Sequence, residues 1–485
     1  MPLQIEDRNG ISLLREALIA GDYTPEAFAR LLAKPNARED DRAIREAIIR
    51  LPADDATASL IKLFHLGVPI DADEAASSLA PLPLERLIAM GLARSRDALL
   101  EPLAEVFPIG GVFVVSERYD PQPRRHDHVG PVATSTLALA ALTVRRPIDA
   151  ALDLGTGSGF QALMMARHAR RVVAVDINPR AVRYAAFNAL LNELPNIEVR
   201  EGDLFEPVAG ETFDLIVSNP PYVISPDARW VVQDSGLRGD AFAEGLVRSL
   251  PGYLREGGYA HVMTEWLIAP GEDALARLRS WVDGNGCDAI LFEFSRQQPT
   301  DYAVTWNQAL RDDPPAFSAA VERWREHFEQ LGVDEIGWGA IALRRRSGEN
   351  WVATRRHKLA EPIDPAHGQL QRMFAAEDFL AGREGQALLD ARFEVPDDVF
   401  LDVQFALVEG RRLVRRAALV KEGELGTRVR LGNFTLELVS RLDGRAPLGE
   451  IATRLGAESQ DRRELETAAA GAVRELLGLG LIVPA

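Results

Sequence analysis

From residue 149 onward the chain alternates short apolar runs with segments of helical periodicity, and this alternation restricts the fold more than any other feature. β-like runs fall near 150–154, 172–176, 197–200, 214–218, 259–264 and 289–294, and helical patterns near 159–169, 179–192, 240–254, 272–283 and 316–331. Continuous runs such as Leu215-Ile216-Val217 suit strands buried on both faces, and alternation with helices makes such strands mostly parallel with helices on either side. The expected class is α/β, a doubly wound sheet. Two late β-like runs, GWGAIALRRR and NWVATRRH, flank Ser347-Gly348-Glu349-Asn350, a turn that predicts an antiparallel hairpin at the sheet edge.

The flanks read differently. Residues 10–100 look helical, and Thr24-Pro25-Glu26 supplies an N-cap followed by proline at the first helical position. Short helices closed by a Leu-rich turn suggest a winged-helix-like domain over 1–102. A β-rich lead-in at 103–125 contains Val112-Phe113-Val114-Val115, and the alternating region then runs to 350. Residues 351–485 form an expected α+β unit. Its end, LGEIATRLG and RELLGLGLI, loosely repeats the pattern of PEAFARLLA and ERLIAMGLA, which suggests a second winged-helix-like module.

At 485 residues, with 47% hydrophobic and 26% charged, the chain is an ordinary globular composition too long for one core. The single cysteine, Cys287, excludes a disulfide framework and a cysteine-held metal cluster. The N-terminus lacks a basic region followed by an apolar run, and no stretch reaches the roughly 18 apolar residues of a membrane helix. A cytoplasmic protein without a membrane span is expected. A net charge of −17 argues against broad phosphate-driven affinity for nucleic acid. Basic clusters at Arg344-Arg345-Arg346, Arg355-Arg356-His357-Lys358, Arg411-Arg412 and Arg415-Arg416 read as solvated surface and leave local nucleic-acid binding open. His126-Asp127-His128 has no third ligand in register, so no metal is expected.

Chemistry concentrates at strand ends. Asp153-Leu154-Gly155-Thr156-Gly157-Ser158-Gly159 follows the first apolar run and precedes a helix, which is where an open α/β sheet binds a nucleotide-like ligand. The spacing is G-x-G-x-G rather than the dinucleotide fingerprint, and the preceding carboxylate disfavours a pyrophosphate but suits a cationic ligand. The next strand ends in Asp176, 21 residues after Gly155, where a carboxylate can accept from ribose hydroxyls. After the third strand, Asp203 is placed to accept from an adenine amino group while Leu204 packs on the ring.

The motifs DLGTGSG, VVAVDINP, EGDLF and DLIVSNPPY, in that order over about 125–345, resemble those of the class I S-adenosylmethionine-dependent methyltransferases. The resemblance implies a seven-stranded Rossmann-like methyltransferase sheet and S-adenosylmethionine as cofactor. It further implies that Gly155, Gly157 and Gly159 line the methionine part, that Asp176 holds ribose, and that Asp203 and Leu204 frame adenine. Asp153, Thr156 and Asn219 complete the implied cofactor set.

The fourth strand stops at Asn219-Pro220-Pro221-Tyr222, because neither proline has an N–H to continue a sheet. For a planar nitrogen, whose delocalised lone pair is a poor nucleophile, the Asn219 side-chain oxygen and the Pro220 carbonyl are two acceptors for its two N–H groups. Tyr222, beside Pro221, offers a face for stacking. Catalysis by Asn219, Pro220 and Tyr222 would be positioning plus electrostatic stabilisation. Asn-Pro-Pro-Tyr is shared, as a resemblance, by HemK-type glutamine-N5 methyltransferases of release factors, adenine-N6 DNA methyltransferases and some guanine-N2 ribosomal-RNA methyltransferases. The stretch Gln233-Asp234-Ser235-Gly236-Leu237-Arg238-Gly239-Asp240 is similar to the segment after the motif in the release-factor enzymes. The expected substrate is therefore a protein glutamine, with an exocyclic amine of RNA or DNA as first alternative and a non-catalytic cofactor-binding regulator as second. The flanks differ from the short helical domain of those enzymes, and the fifth strand runs into Met263-Thr264-Glu265-Trp266, where Glu265 is a candidate to face the substrate.

Overall fold

Five parallel strands carry the candidate site: Ile148–Leu154 (β1), Ala169–Asp176 (β2), Ile197–Glu201 (β3), Phe213–Ser218 (β4) and Leu254–Ile268 (β5). The computed structural model describes residues 3–32, 41–53, 55–118, 127–226, 239–359, 365–456 and 462–485. It divides into two units, the first Met1–Leu137, Arg146–Asn285 and Arg296–Trp338, the second Ala138–Arg145, Gly286–Ser295 and Gly339–Ala485.

In the first unit the strands lie in the order β5-β4-β1-β2-β3, with β1 hydrogen-bonded to both β4 and β2. Chain order reverses at β1, and Leu154 at its end pairs with Ser218 at the end of β4. Gly155 and Asn219 therefore leave neighbouring strands side by side, at the switch point where such sheets bind ligands. Leu152, Val173 and Ile216 are fully buried, as the uninterrupted apolar runs require.

Helices Phe160–Met165 and Pro179–Leu191 follow β1 and β2. The second opens with Pro179 behind Asn178, whose side chain accepts from the Arg180 N–H. Two asparagines one turn apart on it, Asn188 and Asn192, act as a surrogate strand edge for the hairpin Ala104–Ile109 and Val112–Glu117. Asn188 accepts from Val115 N and donates to Val115 O, both at 2.8 Å, and Asn192 does the same for Phe113 at 2.8 and 2.7 Å. Asn188 also donates to Ser158 O at 2.8 Å, which ties the glycine turn to the same helix.

The helical pattern expected over 240–254 becomes an α-helix, Ala241–Ser249, and a 3-10 turn, Leu250–Tyr253, because Pro251 lacks the donor to continue. Helix Pro299–Trp306 was not foreseen from the sequence. At the N-terminus, helices such as Arg8–Ala20 and Pro25–Leu31 accompany a three-stranded antiparallel sheet of Ile70–Asp71, Leu99–Pro102 and Ala93–Arg96. Ile11, Leu14, Tyr23 and Phe64 are fully buried there.

The second unit corrects the expected edge hairpin. Val352–Arg356 does not fold back on Glu335–Arg345 but pairs parallel with Cys287–Gln297, bringing the large sheet to eight strands where seven were expected. Asp288 supplies the reason. Its buried carboxylate accepts from Arg344 at 2.6 Å, from Arg346 at 2.6 and 2.8 Å, and from Asn350 and the Trp351 N–H at 3.3 Å, so the turn residues are bound to that strand. Two basic clusters read as solvated surface are thereby reassigned: Arg344 also pairs with Asp378, Arg355 with Glu377 and Arg356 with Glu293. The C-terminal part packs helices His367–Leu380, Leu448–Leu455 and Arg462–Gly478 around Phe393, Leu438, Leu448 and Leu477. It also holds a three-stranded antiparallel sheet, Phe400–Val408, Arg411–Val420 and Arg428–Leu431. No helix among the described residues is long and apolar enough to cross a membrane.

Candidate functional site

β1 delivers Asp153, 1% exposed, to the start of the glycine turn. Its Oδ2 accepts from Thr156 Oγ1 at 2.6 Å and from Ala162 N at 3.0 Å. Burial nevertheless pushes its carboxyl up to about 7, so a cation placed beside it would draw out the ionised form. The Gly155 and Thr156 N–H groups both donate to Val175 O at 2.9 Å, and Gly157 N donates to Asp176 Oδ2 at 2.8 Å. The turn is thus stitched to the end of β2 by its backbone.

Gly155 and Gly157 have φ of +72° and +54°, where side chains are rarely tolerated, and a Cβ on either would meet nothing within 4 Å. Their outer faces look onto open space. Gly159 differs, because a Cβ there would stand 3.0 Å from Ala185 Cα, so its glycine serves close helix packing.

A cavity of about 220 Å³ opens over this turn, lined by Asp153, Gly155, Thr156 and Gly157 on one side and by Asn219, Pro220 and Tyr222 on the other. Seven of the residues singled out in the sequence therefore meet. Gly159, Asp176, Asp203, Leu204 and Pro221 do not line it. Asp203 is exposed, and Leu204 holds the strained φ of +45°. Asp176 joins the cavity only through Gly157, and its carboxyl is raised by burial.

At the end of β4 the Asn219 amide donates to Ser135 Oγ at 3.3 Å and Thr136 Oγ1 at 3.1 Å. Its Oδ1 is buried without a partner. A buried acceptor left unpaired costs about 1–3 kcal/mol, so this atom marks a place where a donor is missing. The Tyr222 hydroxyl bonds Ser135 and Trp338, and burial, with the Glu265 charge behind it, pushes its pKa up to about 12. Tyr222 is accordingly neutral, an apolar face with a fixed tip.

Beneath the loop lies a pair that sequence reasoning only half identified. The Tyr302 hydroxyl donates to Glu265 Oε2 and accepts from the Ile224 N–H at 3.0 Å, two residues past Tyr222. Burial pushes the Glu265 carboxyl up to about 8. Glu265 thus faces the loop's support and not the cavity, whose lining does not include it.

Other residues of the site went unread. Ser135 and Thr136 line the cavity from the first turn of the helix Thr134–Leu142. Gln161 donates to Thr136 O at 2.8 Å and keeps Oε1 buried and unpartnered at the cavity wall. Trp306 lines the cavity from the unforeseen helix; its signal was the pair Tyr302 and Trp306 at helical spacing behind Pro299. His126 and residues 233–238 lie outside the described residues, while Asp240 bonds Arg277 at 2.5 and 2.6 Å and Leu267 N at 3.0 Å. Among the described residues no three His, Cys, Asp or Glu side chains gather as a metal site.

The family model described as methyltransferase small domain matches residues 131–238, and a domain of unknown function (DUF7059) matches 20–103. Among curated proteins, the chain is 36% identical over 128 residues to a putative protein N5-glutamine methyltransferase of Methanocaldococcus jannaschii, covering 25% of this chain and 64% of that protein. It is 40% identical over 151 residues to a release factor glutamine methyltransferase of Xylella fastidiosa, 28% of this chain and 52% of that protein. With the release factor glutamine methyltransferase of Geobacter sulfurreducens it shares 32% identity over 244 residues, 47% of this chain and 80% of that protein. The chain thus spans between half and two thirds of the length of the first two.

Proposed function

We propose, because this chain belongs to the release factor glutamine methyltransferase family, that it is an S-adenosylmethionine-dependent N-methyltransferase acting on the side-chain amide of a protein glutamine. The observation that carries the reading is Asn219 Oδ1, buried and unpartnered, across one cavity from the open faces of Gly155 and Gly157.

S-adenosylmethionine, when bound, supplies an electrophilic methyl on a sulfonium. The residues present fit such a group. Gly155 and Gly157 leave room for it, Asp153 suits its positive charge, and Thr156 holds Asp153 in place. Asp176 is the residue for ribose, and Asp203 and Leu204 are those for adenine, although these three stand beyond the cavity lining.

On the acceptor side, Asn219 Oδ1 and the Pro220 carbonyl take the two N–H groups of a planar amide. Ser135 and Thr136 hold the other end of the Asn219 amide, so the oxygen presents in one direction. Two acceptors on the N–H groups stabilise positive charge as it develops on nitrogen and orient that nitrogen across the cavity. Tyr222 and Trp306 provide apolar walls that exclude water. In this reading residues 103–350 carry the chemistry, and 1–102 and 351–485 are accessory.

The test is methyl-tritiated S-adenosylmethionine with the purified full chain and a lysate lacking it, the product split between protease and nuclease. Label released by protease and mapping to glutamine is the expected result. Label released only by nuclease would move the acceptor to an exocyclic amine of RNA or DNA and overturn the protein assignment.

A further inference from the structure

Seven of the twelve large apolar side chains that stand exposed among the described residues lie on one hairpin, Phe400–Val408 and Arg411–Val420. Singly exposed apolar residues need no explanation, whereas a contiguous set marks an interaction surface. The outer strand, FLDVQFALV, is apolar at most positions, Phe400 and Val408 standing exposed on one face, and its pairing with Arg411–Val420 shifts register between Gln404 and Phe405. Leu401, Val403, Phe405 and Leu407 share the other face, and Leu401, Phe405 and Leu407 are 41%, 54% and 77% exposed. A strand patterned for a buried face is left open to water.

Its edge is open as well. In the sheet order Phe400–Val408 is terminal, paired only with Arg411–Val420 among the described residues. Nine residues at about 3.4 Å each give an unpaired ladder of about 30 Å. Edges of this length and polarity are ordinarily blunted by lysine, proline or an inward charge. Here the one acidic side chain within the strand, Asp402, is already ion-paired to Arg428 of the same sheet.

We propose that this edge pairs antiparallel with the same strand of a second copy of the chain, about a two-fold axis at Gln404. The strand is complementary to itself in that register. Phe400 meets Val408, Leu401 meets Leu407, Val403 meets Phe405, the neutralised Asp402 meets Ala406, and Gln404 meets Gln404. Directly opposite residues in an antiparallel pair share a face, so the two LVFL faces join into one. Shifting the pairing by one residue would oppose residues of opposite faces, and shifting it by two would leave ends unpaired. A two-fold contact requires this kind of self-complementarity.

Charge does not oppose this occupant. Arg411, Arg412, Arg415 and Arg416 are exposed on the strand behind the open edge, so in the pair the two basic strands are separated by both edge strands, about 14 Å at roughly 4.8 Å per strand spacing, beyond the screening length of roughly 8 Å. Apolar side chains on the edge argue against RNA, whose phosphates offer Phe405 and Leu407 nothing to pack on.

Sedimentation velocity of the full chain over a concentration series tests the proposal, together with Phe405→Lys, Leu407→Lys and Gln404→Cys. All three positions are exposed, so the substitutions leave the fold intact. The wild type should sediment at twice the chain mass, and each lysine variant should shift to monomer at the same concentration. Opposed Cα atoms about 4.5–5.5 Å apart are within disulfide reach, so under copper-phenanthroline oxidation Gln404→Cys should give a covalent dimer while the wild type, whose Cys287 is buried, should not. A wild type that stays monomeric at every concentration overturns the proposal and gives the edge to a different protein. A dimer that survives both lysine variants and does not cross-link at 404 also overturns it.

Discussion

Two apolar strands of this molecule are incomplete in opposite ways. Phe213–Ser218 is paired on both sides and buried, and its deficit is polar: the residue after it holds an acceptor with no donor. Phe400–Val408 is paired on one side and exposed, and its deficit is apolar: a hydrophobic face and an open edge with no cover. A polar group unpaired inside and an apolar face unpaired outside are both costly, and each cost falls when a partner of matching chemistry arrives. The inner gap is that of one hydrogen-bond donor. The outer gap has the length of a strand.

Removing the inner deficit should have the largest effect. Asn219→Ala leaves the turn without its acceptor, and loss of one preorganised charge-stabilising group lowers turnover by about 100–1,000-fold. S-adenosylmethionine affinity, read by calorimetry, should stay within a few-fold. If turnover falls by only a few-fold, the orphaned oxygen is a packing defect and the contrast between the strands collapses.

Asp176→Ala sharpens the same contrast from the other side of the cavity. Its carboxylate accepts from Gly157 N and Asn178 N, and loss of a charge-assisted hydrogen bond of about 1.5–3 kcal/mol corresponds to roughly 10–100-fold weaker cofactor binding. Binding unchanged in calorimetry would remove Asp176 from the ribose role. Phe400–Val408 stands on no such ligand, so neither substitution should alter the sedimentation of the chain.

The two strands also explain what was legible in the sequence. β1, β2 and β4 were readable because burial on both faces forces uninterrupted apolar runs, and each run ends at polar or glycine residues that stand out against it. Asp153, Gly155, Gly157 and Asn219 were singled out as candidates that way. Ser135, Thr136, Gln161 and Trp306 come from elements brought in by tertiary packing, and nothing local distinguishes a bracing threonine from a helix cap. The parallel course of Val352–Arg356 was hidden because Asp288, some sixty residues upstream, captures the turn residues that a local reading assigns to a hairpin. VFLDVQFALV is β-like in composition, but whether its apolar face meets a core or water is a property of the neighbours.

Tyr302→Phe probes the support of the inner strand end. The change leaves the buried Ile224 N–H and Glu265 without their shared hydroxyl, which should lower stability by about 1–3 kcal/mol. Because Ile224 lies two residues past the Asn219–Tyr222 turn, turnover should fall further than cofactor affinity does. Stability lost with turnover intact would mean that the turn holds its shape without Tyr302.

The smallest effect is the most discriminating, because only the inner region carries a buried titratable pair. Glu265 is held near 8 in the fold and returns to an ordinary carboxyl value of 4.5 on unfolding. Between those values the folded chain keeps a proton that the unfolded chain has released. The contribution of Glu265 to stability is therefore fully present below about pH 4.5 and is lost as pH rises through about 8, with a slope of at most about 1.4 kcal/mol per pH unit. Asp153, pushed up to about 7, adds a slope of the same sign over a lower window. Glu265→Gln keeps a neutral acceptor for Tyr302 and removes one of the two slopes. Its urea midpoint should fall less than that of the wild type between about pH 6 and about pH 8. An equal fall in wild type and variant would mean that Glu265 is already ionised at neutral pH, so that the inner strand end rests on a charge and its polar deficit is not confined to Asn219.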